Sequence, residues 1–412
     1  MRVVVASDSF KGSLSSIEVG EAVRRGILRA DPAAKVAVRP LADGGEGTTQ
    51  ALMAALGARW AETEATGPDG RRVRCRYGIS GGGQNEVTDA VSGCAAAGRS
   101  PAENGQDAAV RTAVIEIAAA AGLTLVPPER RNPLTATTYG VGELIADAIG
   151  RGCRRFVIGL GGSATNDGGA GMLQALGYAL LDQAGKPIRR GAQGLREIAR
   201  IDGGGALPAL RECTFRLACD VNNPLCGPNG CSAVYGPQKG ATPEMVGQMD
   251  GWLARYADAA ERYSGRAERD TPGSGAAGGL GFAFRCFLGG ALLPGVRLVI
   301  EETGLEKEVA RADLVVTGEG RLDAQTAMGK APAGVAALAR KYGKPVIALA
   351  GCVSEEAGVC NEAGIDAFFP VLHRVGSLEE AMEPQAARRN VEETAEQVFR
   401  LVRRLRASNE SK

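Results

Sequence analysis

MRVVVASDSFKGSLSSIEVGEAVRRGILRA, residues 1–30, carries the pattern from which the fold can be read. A β-branched run over 3–6 has the length and side-chain type of a buried strand, and Asp8 ends it inside the turn-forming segment SDSFKGS. Ser15-Ser16-Ile17-Glu18 then makes a capping box, with a hydroxyl and a carboxylate spaced to satisfy the first free amides of a helix. Strand, loop and helix in succession are the repeating unit of an α/β sheet. The same reading predicts strands over 36–38, 156–160, 314–317, 346–349 and 367–371, and Thr242-Pro243-Glu244 marks another helix start, with proline in the first helical position. Alternation is cleanest over 1–62 and 290–375, so the expectation is one α/β domain built from residues 1–62 and 287–412. A second α/β domain, 63–286, is inserted between its halves.

A chain of 412 residues, 44% hydrophobic and 23% charged, is long enough for two such domains. Lys+Arg total 48 against 47 Asp+Glu, and the basic residues are scattered, so neither nucleic acid nor an anionic membrane is an expected partner. No run of about 18 apolar residues is present, and Asp8 and Lys11 interrupt the N-terminus where a signal peptide would be apolar. A cytoplasmic protein is expected, with its ten cysteines, most of them singly inside apolar or small-residue stretches as Cys153, Cys286 and Cys352 are, read as buried free thiols. The low-hydrophobicity stretch 80–109 reads as a mobile surface insertion, and 378–405 as one amphipathic helix.

The 59 glycines cluster at ADGGEGT (42–48), GLGGSATNDGGAG (159–171), CGPNG (226–230) and PGSGAAGGLG (272–281), beside predicted elements. Glycine there lets backbone amides approach a ligand. No G-x-x-x-x-G-K-[ST] motif exists, because Gly185-Lys186, Gly329-Lys330 and Gly343-Lys344 are followed by Pro, Ala and Pro. Gly273 to Gly278 has dinucleotide-fingerprint spacing but follows a polar stretch instead of a strand. Gly159 to Ala164 does follow a strand, with Asp182 near the ribose-binding offset, which keeps an NAD-linked dehydrogenase of a small hydroxy acid as a rival. The polar turn cluster Thr165-Asn166-Asp167-Gly168-Gly169 suits a polyanion better. Tight packing is the structural alternative for these glycines.

Asp8, Asp43, Asp220, Glu319 and Asp323 follow predicted strands, where open α/β sheets bind ligands. Each one alone could equally cap a helix or turn. Lys11, Lys239 and Arg321 place cations beside glycine or carboxylate in predicted loops, against the alternative of solvated surface charge. The single histidine, His373, reads as a packed or solvated residue, and without a G-x-S-x-G elbow a Ser-His-Asp hydrolase is disfavoured.

Nearly end to end, the motifs resemble those of the type 1 bacterial glycerate kinase family. The resemblance covers SDSFKGSLSS (7–16), ADGGEGT (42–48), VPPERRNPLTATTYGVGELI (126–145), GLGGSATNDGGAGMLQALG (159–177), CDVNNPLCGPNG (219–230), YGPQKGATPEMV (235–246), GAAGGLGFA (275–283) and TGEGRLDAQT (317–326). It implies ATP and Mg2+ as co-substrates, D-glycerate as acceptor, 2-phosphoglycerate as product, and a Rossmann-like domain facing the inserted one across a cleft. Laid on those motifs, Gly161, Gly162, Ser163, Thr165, Asn166, Gly168, Gly169 and Lys239 are the expected phosphate ligands. Lys11 and Arg321 are expected to meet anionic groups, Asp43 or else Asp8 to accept the proton, and Asp167, Asp323 and Glu319 to hold Mg2+. Another short hydroxy acid as acceptor, the 2- or 3-hydroxyl, and a homo-oligomer stay open.

Overall fold

Val3, Val4, Val5 and Ala6 are all buried, which a strand sustains when both of its faces are covered. The computed structural model describes residues 1–42, 47–81 and 110–410, so Asp43 and positions 82–109 of the glycine-rich stretch lie outside the described residues. Along the chain the strands are β1 (Arg2–Ser7), β2 (Lys35–Val38), β3 (Arg59–Thr66), β4 (Arg72–Ser80), β5 (Arg111–Glu116), β6 (Cys153–Gly159), β7 (Ala179–Leu181), β8 (Arg200–Asp202), β9 (Thr214–Ala218), β10 (Ala291–Leu293), β11 (Leu314–Leu322), β12 (Val346–Val353) and β13 (Ala367–Pro370).

Five of them form a wholly parallel sheet in the order β13-β12-β11-β1-β2, with β1 and β11 in register from Val3 with Leu314 to Ser7 with Gly318. Counted along the chain within this sheet, the order is 2-1-3-4-5. That is a doubly wound order, and it opens a crevice beyond the carboxyl ends of its first and third strands, here β1 and β11. A second sheet runs β10-β9-β6-β5-β4-β3, parallel from β10 to β5 and antiparallel at the β5–β4 and β4–β3 pairs. β7 and β8 pair separately.

The capping box forms as the sequence predicts: the Glu18 amide donates to Ser15 Oγ at 3.3 Å and the Ser15 amide to Glu18 Oε2 at 3.0 Å. Helix Ser16–Ala30 buries Val19, Val23 and Ile27 beneath the first sheet, together with Val391, Ala395 and Phe399 of helix Pro384–Glu410. The two helices approach closely at Gly26, where a Cβ would stand 2.2 Å from the Glu392 carbonyl oxygen. In place of one helix over 378–405 the structure has two, Leu378–Met382 and Pro384–Glu410. Pro384 lacks the amide needed to continue the first and opens the second. Helix Gly295–Thr303 joins the sheets: Val296, Leu298 and Val299 pack with Val4 and Val315 on one side and Val114, Val157 and Ala218 on the other. Its buried Glu302 accepts from Arg155 at 2.7 Å and from Arg216, both on the second sheet.

Candidate active site

The loop after β1 is pinned at both of its ends. Its Asp8 amide donates to the Gly318 carbonyl of β11 at 2.9 Å, and Phe10 and Leu14 exchange backbone hydrogen bonds of 2.8 and 2.9 Å. Asp8, 5% exposed, is thereby fixed at the strand end with Oδ1 accepting from the Ser9 amide at 2.7 Å, while Lys11 projects from the tip. Residues 8–11 and Ser13 form the wall between two cavities, of about 520 and about 460 Å3.

The larger cavity lies between the two sheets. Glu116 and Ala118 at the end of β5 line it, with Thr49 and Gln50 of helix Thr48–Leu56, Trp60 of β3 and Arg76 of β4. The Arg76 guanidinium lies 4.4 Å from the centre of the Trp60 ring and has no hydrogen-bond or ion-pair partner among the described residues. Stacking of this kind orients a guanidinium while leaving its edge donors available. Glu116 accepts from the Thr49 amide at 3.2 Å, which ties the second sheet to that helix.

The second cavity lies over the carboxyl ends of β1, β11 and β12. Glu319, Arg321, Asp323, Lys330 and Cys352 line it, together with Leu372, Leu378, Met382 and Asn390. Glu319 is only 7% exposed and accepts from Thr326 Oγ1. Burial pushes its carboxyl above the ordinary range, and the charges of Asp8 and Asp323 push the same way, against the Thr326 hydrogen bond and Lys330. Asp323 caps the short helix Ala324–Ala327, accepting from the Gln325 amide at 3.0 Å, with Arg321 and Lys330 each 3.7 Å from its oxygens.

The glycine loop after β6 divides in two. Gly161 and Gly162 are exposed, with Gly162 beside Ala118 of the larger cavity. From Ser163 onward the chain turns into the core packed on the second sheet, whereas the sequence reading sets the whole loop against a phosphate. Ser163, Thr165, Asn166, Gly168 and Gly169 are buried. A Cβ on Gly168 would meet Tyr256 at 2.8 Å, and one on Gly169 would meet Ala283 at 2.4 Å, so these two glycines serve packing. Asn166 donates to Ser232 Oγ at 2.7 Å. Lys239 Nζ reaches inward to Ser163 Oγ at 3.0 Å and the Thr165 carbonyl at 2.6 Å, and burial pushes its ammonium down to about 8. Asp167, expected at a metal, is fully buried and accepts from the Thr138 amide at 2.9 Å, the Thr138 hydroxyl at 3.0 Å, and the Gly169 and Gly171 amides at 3.2 Å each. Four protein donors occupy a carboxylate that a cation in the cleft would need.

The structure therefore gathers Asp8, Lys11, Glu319, Arg321 and Asp323 and leaves Ser163, Thr165, Asn166, Asp167, Gly168, Gly169 and Lys239 buried away from them, beneath the second sheet. Asp220 caps helix Gly295–Thr303 through the Gly295 amide at 2.8 Å. Asp182 accepts from the Ala184 and Lys186 amides in the turn after β7, so the residue at the ribose offset is a turn former. His373 is exposed and bonds Thr394 at 2.8 Å and Glu393 at 3.2 Å, a surface histidine. Arg76, Trp60, Glu116 and Lys330 were not singled out from sequence. Lys330 had a signal, a lysine after Gly329 before a proline-started helix, whereas Arg76 shares the exposed alternation of β4 with Arg72 and Arg74. Among the described residues no helix is long and apolar enough to cross a membrane.

The model of the glycerate kinase family matches residues 3–403. A glycerate kinase of Haemophilus influenzae is 46% identical over 402 residues, spanning 98% of this chain and 99% of its own length. The glycerate 2-kinase of Escherichia coli is 44% identical over 381 residues, 92% of this chain and 93% of its own. A crystal structure described as that of a glycerate kinase 2 from Salmonella typhimurium LT2 superposes with a TM-score of 0.83 at 43% identity, with both chains covered completely.

Proposed function

The chain belongs to the glycerate kinase family and is a kinase phosphotransferase, and from that premise we propose that it transfers the γ-phosphoryl group of ATP to the 2-hydroxyl of D-glycerate, with Mg2+, at the loop that separates the two cavities. The observation that carries this reading is the place of Asp8 and Lys11 on a wall shared by both cavities. A kinase must seat two substrates separately and bring one oxygen and one phosphorus together, and a common wall bearing a cation and a carboxylate meets that need.

In the proposed reaction the bond from the glycerate oxygen to the γ-phosphorus forms as the bond from that phosphorus to the β,γ-bridging oxygen breaks, and ADP leaves. Asp8 takes the hydroxyl proton, and Lys11 offsets charge on the equatorial oxygens. Asp43, the first choice for the proton from sequence, lies outside the described residues. Arg76, held over Trp60, takes the glycerate carboxylate; Arg321 serves the phosphate side. Gly161 and Gly162, exposed and without side chains, let the opposite wall approach the transferred group.

Among the described residues no group of three or more His, Cys, Asp or Glu could hold a metal by itself. Mg2+ asks for less, commonly one or two carboxylates besides waters and substrate phosphates. Glu319 fits it best, since a carboxyl whose pKa is raised by burial and by two like charges gains from a nearby dication, and Asp323 adjoins it. When bound, the ion would neutralise phosphate charge and orient the γ-phosphoryl group. The name of the Escherichia coli relative supports the 2-position, and a cytoplasmic site of action follows from the use of ATP. A coupled assay of ADP release, with 31P NMR of the product, tests the whole reading. ADP release strictly dependent on D-glycerate and Mg2+, with 2-phosphoglycerate as product, is expected; turnover without glycerate, or NADH binding with no response to ATP, would sink it.

A further inference from the structure

We propose that the 460 Å3 cavity over the first sheet is the nucleotide subsite, with the purine against Leu372, Leu378 and Met382 and the phosphates toward Arg321 and Lys330. This assignment rests on the kinase reading and adds to it which cavity takes which substrate.

Its first support is that the cavity lining combines two chemistries: Lys11, Arg321 and Lys330 are cationic, and Val371, Leu372, Leu378 and Met382 are apolar. A nucleotide needs both, an apolar surface for its base and cations for its polyanion. Lys330 is also the N-cap of helix Ala331–Lys341, whose 11 residues bring their positive end to the cationic side. Leu378, 74% exposed, and Leu372, 42% exposed, gain an apolar contact in this assignment that the protein itself does not give them. Asn390 lines the cavity with no hydrogen-bond partner for its amide among the described residues, and a side-chain amide can both donate to and accept from a purine edge.

The other cavity fits a base less well. Its indole, Trp60, already has a ring face covered by the Arg76 guanidinium at 4.4 Å, and Glu116, Thr49 and Gln50 add polar groups to a wall that also carries Phe10, Leu14 and Leu41. A small carboxylate with two hydroxyls suits those groups. Topology agrees, because the cavity opens at the β1–β11 switch point, where doubly wound sheets bind their ligands.

Cys352 provides a reporter that does not depend on turnover. It lines this cavity and is exposed, whereas the other cysteines among the described residues are buried or half-buried. The intact enzyme is alkylated with iodoacetamide, and the Cys352 peptide is quantified by mass spectrometry, which also separates it from Cys94. Saturating MgADP is expected to slow alkylation of Cys352 at least tenfold, with D-glycerate changing it less than twofold. Calorimetry run alongside should show Leu378→Asp weakening MgADP binding at least tenfold at an unchanged Tm, since that side chain is exposed. MgADP that binds without protecting Cys352, or protection by D-glycerate alone, overturns the subsite and leaves the kinase reading standing. Failure of MgADP to bind at all overturns both.

Discussion

Glu319 faces Asp8 across the β1–β11 junction, and the charge of Asp8 adds to burial in raising the pKa of the Glu319 carboxyl. The neighbours are fixed by register, since Ser7 pairs with Gly318, Asp8 follows the end of β1 and Glu319 is the next residue within β11. The folded protein binds this proton more tightly than the unfolded chain does, so ionising Glu319 costs stability. The cost is absent below pH 4.5 and grows as pH rises through the raised value. Glu319→Gln keeps an oxygen to accept from Thr326 and removes the charge. The variant should melt higher than the parent at pH 8, with the difference disappearing near pH 4, while losing most of its turnover. An unchanged or lower Tm at pH 8 would show that the site stores no such strain.

Asp8→Asn preserves shape and the acceptor for the Ser9 amide but cannot take a proton. The expected outcome is a kcat lower by roughly a hundredfold, the usual size for a general base, with the KM for ATP within about threefold of the parent. Steady-state kinetics check this, and near-normal turnover would reduce Asp8 to a loop-anchoring residue and return attention to Asp43.

The first sheet was legible because β1, β2, β11 and β12 are short runs carrying Val or Ile, and the helix after β1 opens with a chemical signature at Ser15 and Glu18. Asp8, Lys11, Glu319, Arg321 and Asp323 were legible because they follow the apolar part of a strand in sequence, although β11 continues through Glu319 and Arg321 to Leu322. The glycine loop was only half legible. Gly161 and Gly168 look alike in sequence, yet one faces the cleft and the other packs on Tyr256, and that choice is made by tertiary neighbours more than 80 residues away. Arg76 was invisible for a related reason, because what distinguishes it from Arg74 is the ring of Trp60 on the adjoining strand, where Arg74 instead meets Glu62.

Lys239 supplies a test of the inward half of that loop. Its ammonium is held by Ser163 and the Thr165 carbonyl, so Lys239→Met should cost stability, on the order of 1–3 kcal/mol for leaving the buried Thr165 carbonyl without its donor, and should leave both KM values nearly unchanged. The pH dependence carries a definite sign. Folded Lys239 loses its proton near 8 while the unfolded chain holds it to about 10.5, so this residue's contribution to stability rises with pH between those values and its burial cost is fully present below them. The methionine variant should lack that rise in urea unfolding midpoints. A raised KM for ATP at parental stability would restore Lys239 to the phosphate site.

Arg76 decides how the acceptor is held. Its guanidinium lies in the cleft with Trp60 as its ring partner and forms no ion pair among the described residues, whereas the neighbouring arginines of β4 pair with Glu62 and Glu143. An arginine left unpaired at a cavity wall, with its plane set by an aromatic face, is prepared for a planar carboxylate. Removing a charged hydrogen bond of this kind costs about 1.5–3 kcal/mol, or roughly 10- to 150-fold in binding. Arg76→Ala should therefore raise the KM for D-glycerate by at least about tenfold and leave MgADP affinity unchanged. Arg76→Lys should recover little of the loss, because lysine keeps the charge without the bidentate fork, and Trp60→Ala should show a smaller effect of the same sign by releasing the guanidinium from its plane. Kinetics at saturating ATP with glycerate varied, beside calorimetry with MgADP, separate the two substrates. A variant whose ADP affinity falls while its glycerate KM holds would exchange the roles of the two cavities.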